Sequence, residues 1–172
     1  MHLMLQSDCY NTILSFLFIL ALSLLLTGCS GTDRQEEPNT QQNERVLNYE
    51  SEVAFISAAG DTLASITAAV ADDQSSRTEG LMNVRSMPED AGMIFIFEEN
   101  QPRSFWMAST PLSLDLIFAN EGFEIVRIHR NASPYSQDSI QSGQPAKYVV
   151  EVNAGYTLRH DINEGAFIRI LE

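Results

Sequence analysis

The stretch that decides the fold runs from Arg77 to Phe118. It begins Arg77-Thr-Glu-Gly-Leu-Met82 and passes through Glu89-Asp-Ala-Gly-Met-Ile-Phe-Ile-Phe97. It ends Phe105-Trp-Met-Ala-Ser-Thr-Pro-Leu-Ser-Leu-Asp-Leu-Ile-Phe118. Short apolar runs punctuated by Gly and Pro read as strands. In Gly92–Phe97 the period of two puts Met93, Phe95 and Phe97 on one face. In Leu114–Ala119 it puts Leu114, Leu116 and Phe118 on one face and Asp115 on the other. The stretch also carries the single Trp, Trp106, and four of the six Met residues, so the core or a pocket is expected around it.

Upstream, Glu52–Ala58 and Thr62–Ala71 are apolar, β-branched runs separated by Ala59-Gly60-Asp61, which reads as a hairpin. Asp72 and Asp73 supply an N-cap for one short helix carrying Arg77 and Leu81, and Gly80 allows another backbone to approach. Met87-Pro-Glu-Asp90 is a turn, and Glu98 to Arg103 is a polar connection. Strands are expected at Arg103–Ala108, Phe123–Arg130, Ala146–Val152 and Ala166–Leu171. Asn131 to Pro145 reads as a long loop, mobile or a lid. Asn153–Glu164 holds a turn and at most one helical turn. About eight strands, one short helix and regular turn signals predict an all-β domain over residues 51–172, a compact β-sandwich or a partly closed barrel. No internal repeat is visible.

The chain of 172 residues carries 23 acidic against 10 basic side chains, a formal charge of −13, and Lys147 is its one lysine. So acidic a surface repels phosphate backbones, which argues against a nucleic-acid partner. Ile13 to Leu26 is an uninterrupted apolar run shorter than the ~20 residues of a spanning helix, as in a signal peptide. Leu26-Thr-Gly-Cys29 follows and resembles a bacterial lipobox, in which the Cys thiol takes the lipid. No Lys or Arg precedes the apolar run, a departure from that pattern. Residues 1–28 are therefore expected to be a lipoprotein signal peptide, and residues 29–50 the lipidated Cys29 and a polar tether. The lipid on Cys29 would make a membrane the first partner, in the cell envelope. With Ser30 next, the outer membrane facing the periplasm is favoured if the organism has one. Cys9 leaves with the signal and Cys29 is acylated, which removes disulfides, thiolate metal sites and Cys nucleophiles from the mature domain.

Four side chains stand out as candidate ligand-binding residues: Arg77, Trp106, Thr110 and Asp115. A carboxylate in an apolar strand needs a partner, and Arg77 is the candidate for a bidentate pair that pins helix to sheet. The functional reading is that Arg77 holds a carboxylate or phosphate of a small ligand. Met82, Met93 and Met107 beside Trp106 suit Cu(I), since thioethers are soft ligands, and His129 could add a nitrogen. The plainer reading is that they fill the core. Asp115 and Glu151 could serve as paired carboxylates of a sugar-cleaving enzyme, though a packing or surface role is the plainer one. Neither a G-x-S-x-G elbow nor an H-E-x-x-H zinc motif is present.

From about Val53 to Ile170 the chain resembles the domain-of-unknown-function 192 family of bacteria and archaea. The resemblance rests on R-x-x-G-L-M at Arg77–Met82, G-M-x-F-x-F at Gly92–Phe97, F-W-M at Phe105–Met107 and T-x-x-x-L-D-x-x-F at Thr110–Phe118. P-A-K-Y-V-V-E-V at Pro145–Val152 and Ala154-Gly155 continue it. Where the family tends to read G-D, this chain has Gly165-Ala166. The resemblance implies a compact β-sandwich and no assigned activity. The reading that results is a non-enzymatic envelope lipoprotein, needing no cofactor, that presents a pocket or face to a small molecule or an envelope protein. A Cu(I)-handling module and an envelope hydrolase are the alternatives.

Overall fold

A computed structural model describes residues 45–171. The expected signal peptide, Cys29 and the expected tether up to residue 44 lie outside the described residues. The chain runs β1 (Ser51–Ile56), β2 (Thr62–Ala71), α1 (Gln74–Glu79), β3 (Ala91–Phe105) and β4 (Leu114–Ala119). It continues through β5 (Ile125–Ala132), β6 (Ile140–Asn153), α2 (Tyr156–Arg159) and β7 (Phe167–Leu171).

All seven strands join one sheet in the order β5-β4-β6-β3-β2-β1-β7. A bridge between Glu124 and Phe167 brings its two ends together. Two backbone bonds reinforce it, from Ile125 N–H to Ala166 O (2.7 Å) and from Ile168 N–H to Phe123 O (2.9 Å). The sheet is thus curled on itself as a partly closed barrel, the second of the two expected architectures. Curling leaves few unpaired strand edges exposed to other chains.

Residue alternation sends the side chains of β2 to β6 to two separate cores, while β1 and β7 contribute to the first of them alone. The inner one holds Val53, Phe55, Ile66, Ile94, Ile117 and Val150, together with Tyr156 of α2. The outer one holds Met93, Phe95, Leu114, Leu116, Phe118 and Val149, and is covered by Leu81, Val84 and Met107 from the connecting segments. Fully burying each such side chain contributes about 1.5–3 kcal/mol. Met93 and Phe95 lie in the outer core with Phe97 packed against it, as their spacing predicts. The cover follows from topology: β2 and β3 pair in parallel, so the connection between them must cross the sheet, and α1 lies in that crossover.

Two expectations are corrected. The polar Glu98–Arg103 segment is not a connection between two strands but the middle of β3, which runs for 15 residues. The expected loop Asn131–Pro145 is strand from Ile140 onward, because β6 runs for 14 residues. Beyond the barrel these halves pair with each other, Gln101 with Ala146 and Pro102 with Pro145, across register shifts. Their side chains are mostly exposed, so apolar alternation does not mark them as strand. Downstream, α2 adds a second short helix.

Asp73 caps α1 as expected, its carboxylate accepting from the N–H groups of Ser75 (2.7 Å) and Ser76 (3.1 Å). Gly80 ends the helix with φ +47°, a left-handed conformation that a residue with Cβ adopts at a cost. Residues 45–50 extend the sheet's outer cover, with Leu47 and Tyr49 packed on the outer core and Glu50 N–H bonded to Ala68 O (3.2 Å). Arg45 pairs with Glu79 (3.3 Å) and donates to the Gly80 carbonyl.

Gly92 explains the first letter of G-M-x-F-x-F. A Cβ there would meet the Glu151 carbonyl oxygen at 2.5 Å and Ile66 Cδ1 at 2.7 Å. The backbone oxygen belongs to the neighbouring strand and cannot rotate away. Gly92→Ala should therefore lower unfolding free energy by about 1–3 kcal/mol in urea titration, as overpacking does.

Candidate functional site

A cleft of about 450 Å³ opens on the outer face of the barrel. One wall is α1 and the residues after it, bringing Arg77, Gly80, Leu81 and Met82. The opposite wall is the end of β3 and the following loop, with Phe105, Trp106 and Thr110. Phe95 and Phe97 of β3 and Glu151 of β6 come from the sheet beneath. The walls are tied together by Asn83 N–H to Ser109 O (3.0 Å). The loop wall is braced from behind by Met107 N–H to Ser136 O (3.1 Å) and Tyr135 N–H to Thr110 O (3.1 Å).

Aromatic rings dominate the lining. Phe105 meets Phe95 edge-on at 5.1 Å between centroids, and meets Phe97 at 6.4 Å. Such pairs add about 0.5–1.5 kcal/mol beyond burial and hold the rings in place. Trp106 leaves 64 % of its surface in solvent, unusual for so large an apolar side chain. Two guanidinium groups lie against Phe97, Arg103 at 3.8 Å and Arg77 at 5.3 Å from its centroid. Partial burial lowers the Arg103 pKa, with the charge of Arg77 adding to that effect and Glu99 opposing it.

Three of the four residues expected to bind a ligand, Arg77, Trp106 and Thr110, do line this one cleft. Asp115 does not. Its carboxylate is fully buried at the inner side of the sheet and accepts four bonds. They come from Asn131 N–H (2.9 Å), Gly155 N–H (3.2 Å), Thr157 N–H (3.1 Å) and Thr157 Oγ1 (2.7 Å). Arg77 instead donates to the carbonyls of Asp72 and Ile96, the latter at 2.9 Å. The expected Arg77–Asp115 pair is therefore not formed, because backbone donors around α2 satisfy the carboxylate from the opposite face.

The paired carboxylates separate for a similar reason. Asp115 sits opposite Val152, and Leu116 sits opposite Glu151. Neighbours in register share a face, so Asp115 and Glu151 point to opposite sides of the sheet and cannot flank one bond. Met93 and Met107 are enclosed in the outer core at 2 % and 1 % exposure, while Met82 lines the cleft. His129 is opposite Leu116 on β5. Among the described residues no three His, Cys, Asp or Glu side chains are grouped as metal ligands.

The residue that sequence reasoning undervalued is Glu151. It lies in register between Leu116 on β4 and Met93 on β3, in the middle of an apolar row. Only 5 % of it is exposed, it lines the cleft, and among the described residues it has no hydrogen-bond or ion-pair partner. Burial pushes its pKa up to about 8 from an ordinary 4.5. The available signal was a single carboxyl in Val149-Val-Glu-Val152, a run otherwise suited to a strand buried on both faces.

A raised carboxyl pKa means that the folded state holds its proton more tightly than the unfolded chain. The stabilisation is fully present below about pH 4.5 and fades as pH rises through about 8. The other ionisable side chains lining the cleft, Arg77 and Glu79, stay the same in a Glu151→Gln variant. Relative to that variant, the wild type should lose on the order of 3–5 kcal/mol of unfolding free energy across this interval. Paired urea titrations near both ends of the interval measure it.

Residues 55–170 match the family model DUF192, described as Uncharacterized ACR. Among solved structures, a protein of Sinorhizobium meliloti 1021 described as a candidate transcription regulator is 38 % identical. The match covers 73 % of this chain and 96 % of that one, with a TM-score of 0.68. A protein of unknown function from Novosphingobium aromaticivorans DSM 12444 is 26 % identical over 69 % of this chain and 83 % of its own, with a TM-score of 0.65. No curated protein matches. With the family model spanning most of the chain and the same curled sheet in a relative of this identity, the protein belongs to the DUF192 family.

Proposed function

We propose that this protein is a lipid-anchored envelope protein whose barrel binds a small molecule in the cleft between α1 and Trp106. The observation that carries the reading is the cleft's composition. Ligand sites are concave and largely apolar, with a few convergent polar groups. Here Phe95, Phe97 and Phe105 provide apolar surface, and Arg77 and Glu151 provide the polar groups. Arg77 forms no ion pair among the described residues, and Glu151 has no partner within hydrogen-bonding reach. Arg77 spends its NH1 on the carbonyls of Asp72 and Ile96, which holds the guanidinium in place with its charge unneutralised, and both groups thus face the cleft with capacity for a ligand.

The anchor rests on Leu26-Thr-Gly-Cys29, preceded by an apolar run of signal-peptide length. A regulator acting on DNA, in line with the description of the S. meliloti protein, is opposed by the charge of −13 and the single lysine. Copper handling is opposed by the enclosure of Met93 and Met107 among apolar side chains.

Native mass spectrometry of the mature protein, purified from a periplasm, tests the binding reading. The expected result is a co-purified organic mass that Arg77→Ala removes and that Ala108→Phe, which fills the cleft, also removes. A bare wild-type spectrum, or a stoichiometric Cu(I) adduct lost on Met107→Ala, overturns it. Anchoring has its own test. Cys29→Ala should move the protein from the membrane to the soluble fraction and abolish incorporation of labelled fatty acid.

A further inference from the structure

The reading of the cleft as a ligand site leaves open what its polar groups select, and Glu151 narrows that. A carboxyl enclosed by apolar neighbours without a partner costs about 1–3 kcal/mol or more, whereas an apolar residue would pack there without penalty. Its register neighbours Leu116 and Met93 are such residues. The one open side is the cleft. Hydrogen-bond donors therefore reach it through the cleft, from water or from a ligand that displaces water, and a carboxyl offers most to a cationic nitrogen, through a charge-assisted bond.

The lip has the opposite sign. Glu79 is paired with Arg45 at 3.3 Å, whereas Arg77 forms no ion pair among the described residues, and Arg103, which also lies against Phe97, adds to its positive charge. A purely cationic ligand would be repelled there, and a purely anionic one would leave Glu151 without donors. Resting on the ligand-site reading above, we propose that the cleft takes a small zwitterionic molecule lengthwise. Its cationic nitrogen is held by Glu151 at the floor and its anionic end by Arg77 at the lip, with an apolar body between them. The elevated Glu151 pKa adds a consequence: the empty site holds a proton at neutral pH, and an arriving ammonium group displaces it to solvent.

Calorimetry on the mature protein with three straight-chain probes of equal length, 8-aminooctanoate, octanoate and octylamine, tests this. The expected order has 8-aminooctanoate at least about tenfold tighter than either single-ended probe, the scale of one charge-assisted bond. Glu151→Gln should erase its advantage over octanoate, and Arg77→Gln its advantage over octylamine. Wild-type binding should release close to one proton, seen as a heat that differs between Tris and phosphate buffers, and Glu151→Gln should release none. Glu151→Met, which matches the neighbouring side chains, gives the same answer if the amide variant folds poorly. Octanoate binding as tightly as 8-aminooctanoate, with no effect of Glu151→Gln, overturns the zwitterion assignment and leaves the cleft a ligand site. Failure of all three probes, with a co-purified organic mass still present in native spectra, also overturns only the assignment. Failure of all three with bare spectra overturns the ligand-site reading too.

Discussion

Two buried carboxyl groups on adjacent strands show the constraint on which the molecule depends. A sheet covered on both faces gives a polar side chain no solvent, so each must find donors or remain uncompensated. Asp115, facing inward, collects four of them from Asn131, Gly155 and Thr157. It thereby fastens β4 to the end of β5 and to the turn that starts α2, at the mouth of the inner core. Removing one member of such a network leaves several N–H groups unsatisfied at once, which makes Asp115 structural in the strict energetic sense. Glu151, one strand away and facing outward, collects none. The fold tolerates the first because it is satisfied and the second because the outer cover is incomplete there.

That incompleteness is a product of topology. The inner core is built mostly from strand residues set by regular alternation, with Tyr156 of α2 and Ile162 and Ala166 after it completing the closure. The outer core is closed by what connects the strands: the crossover containing α1, the loop from Trp106 to Ser113 and residues 45–50. Irregular segments do not tile a curved sheet without a gap, and the gap here falls between α1, which carries Arg77, and the loop that carries Trp106. Functional side chains placed on loops over a rigid scaffold are a common arrangement for recognition.

The legible parts of the chain were those in which burial imposes a period. Met93, Phe95 and Phe97 share a face as their spacing predicts, and so do Leu114, Leu116 and Phe118. Asp73 was recognisable as a cap because its role is local. What was hidden is polar or non-local. The outer ends of β3 and β6 are strands by pairing with each other alone, so their Glu, Gln, Ser and Pro residues read as loops. The Arg77–Asp115 pair was inferred from charge, but opposite charges on opposite faces of a sheet cannot meet, and facing cannot be assigned before the strand order is known. Arg77, Trp106 and Thr110 line one cleft because a single stretch of sequence returns to one place. Glu151 is not legible as part of that group because it arrives from β6, more than forty residues beyond Thr110.

The ends of the sheet bear on how the chain reaches this state. Glu52 of β1 pairs with Leu171 of β7, and β7 also carries the bridge that draws the curled sheet together. The most distant contacts in the domain are thus made by its final residues. Closing so long a loop is entropically unfavourable, and sheets built on distant pairings reach their native state slowly. Until β7 is in place, β1 keeps an unpaired edge and the inner core stays open at that side. Loss of β7, Phe167–Leu171, would leave that edge open permanently and take Ile168 out of the inner core.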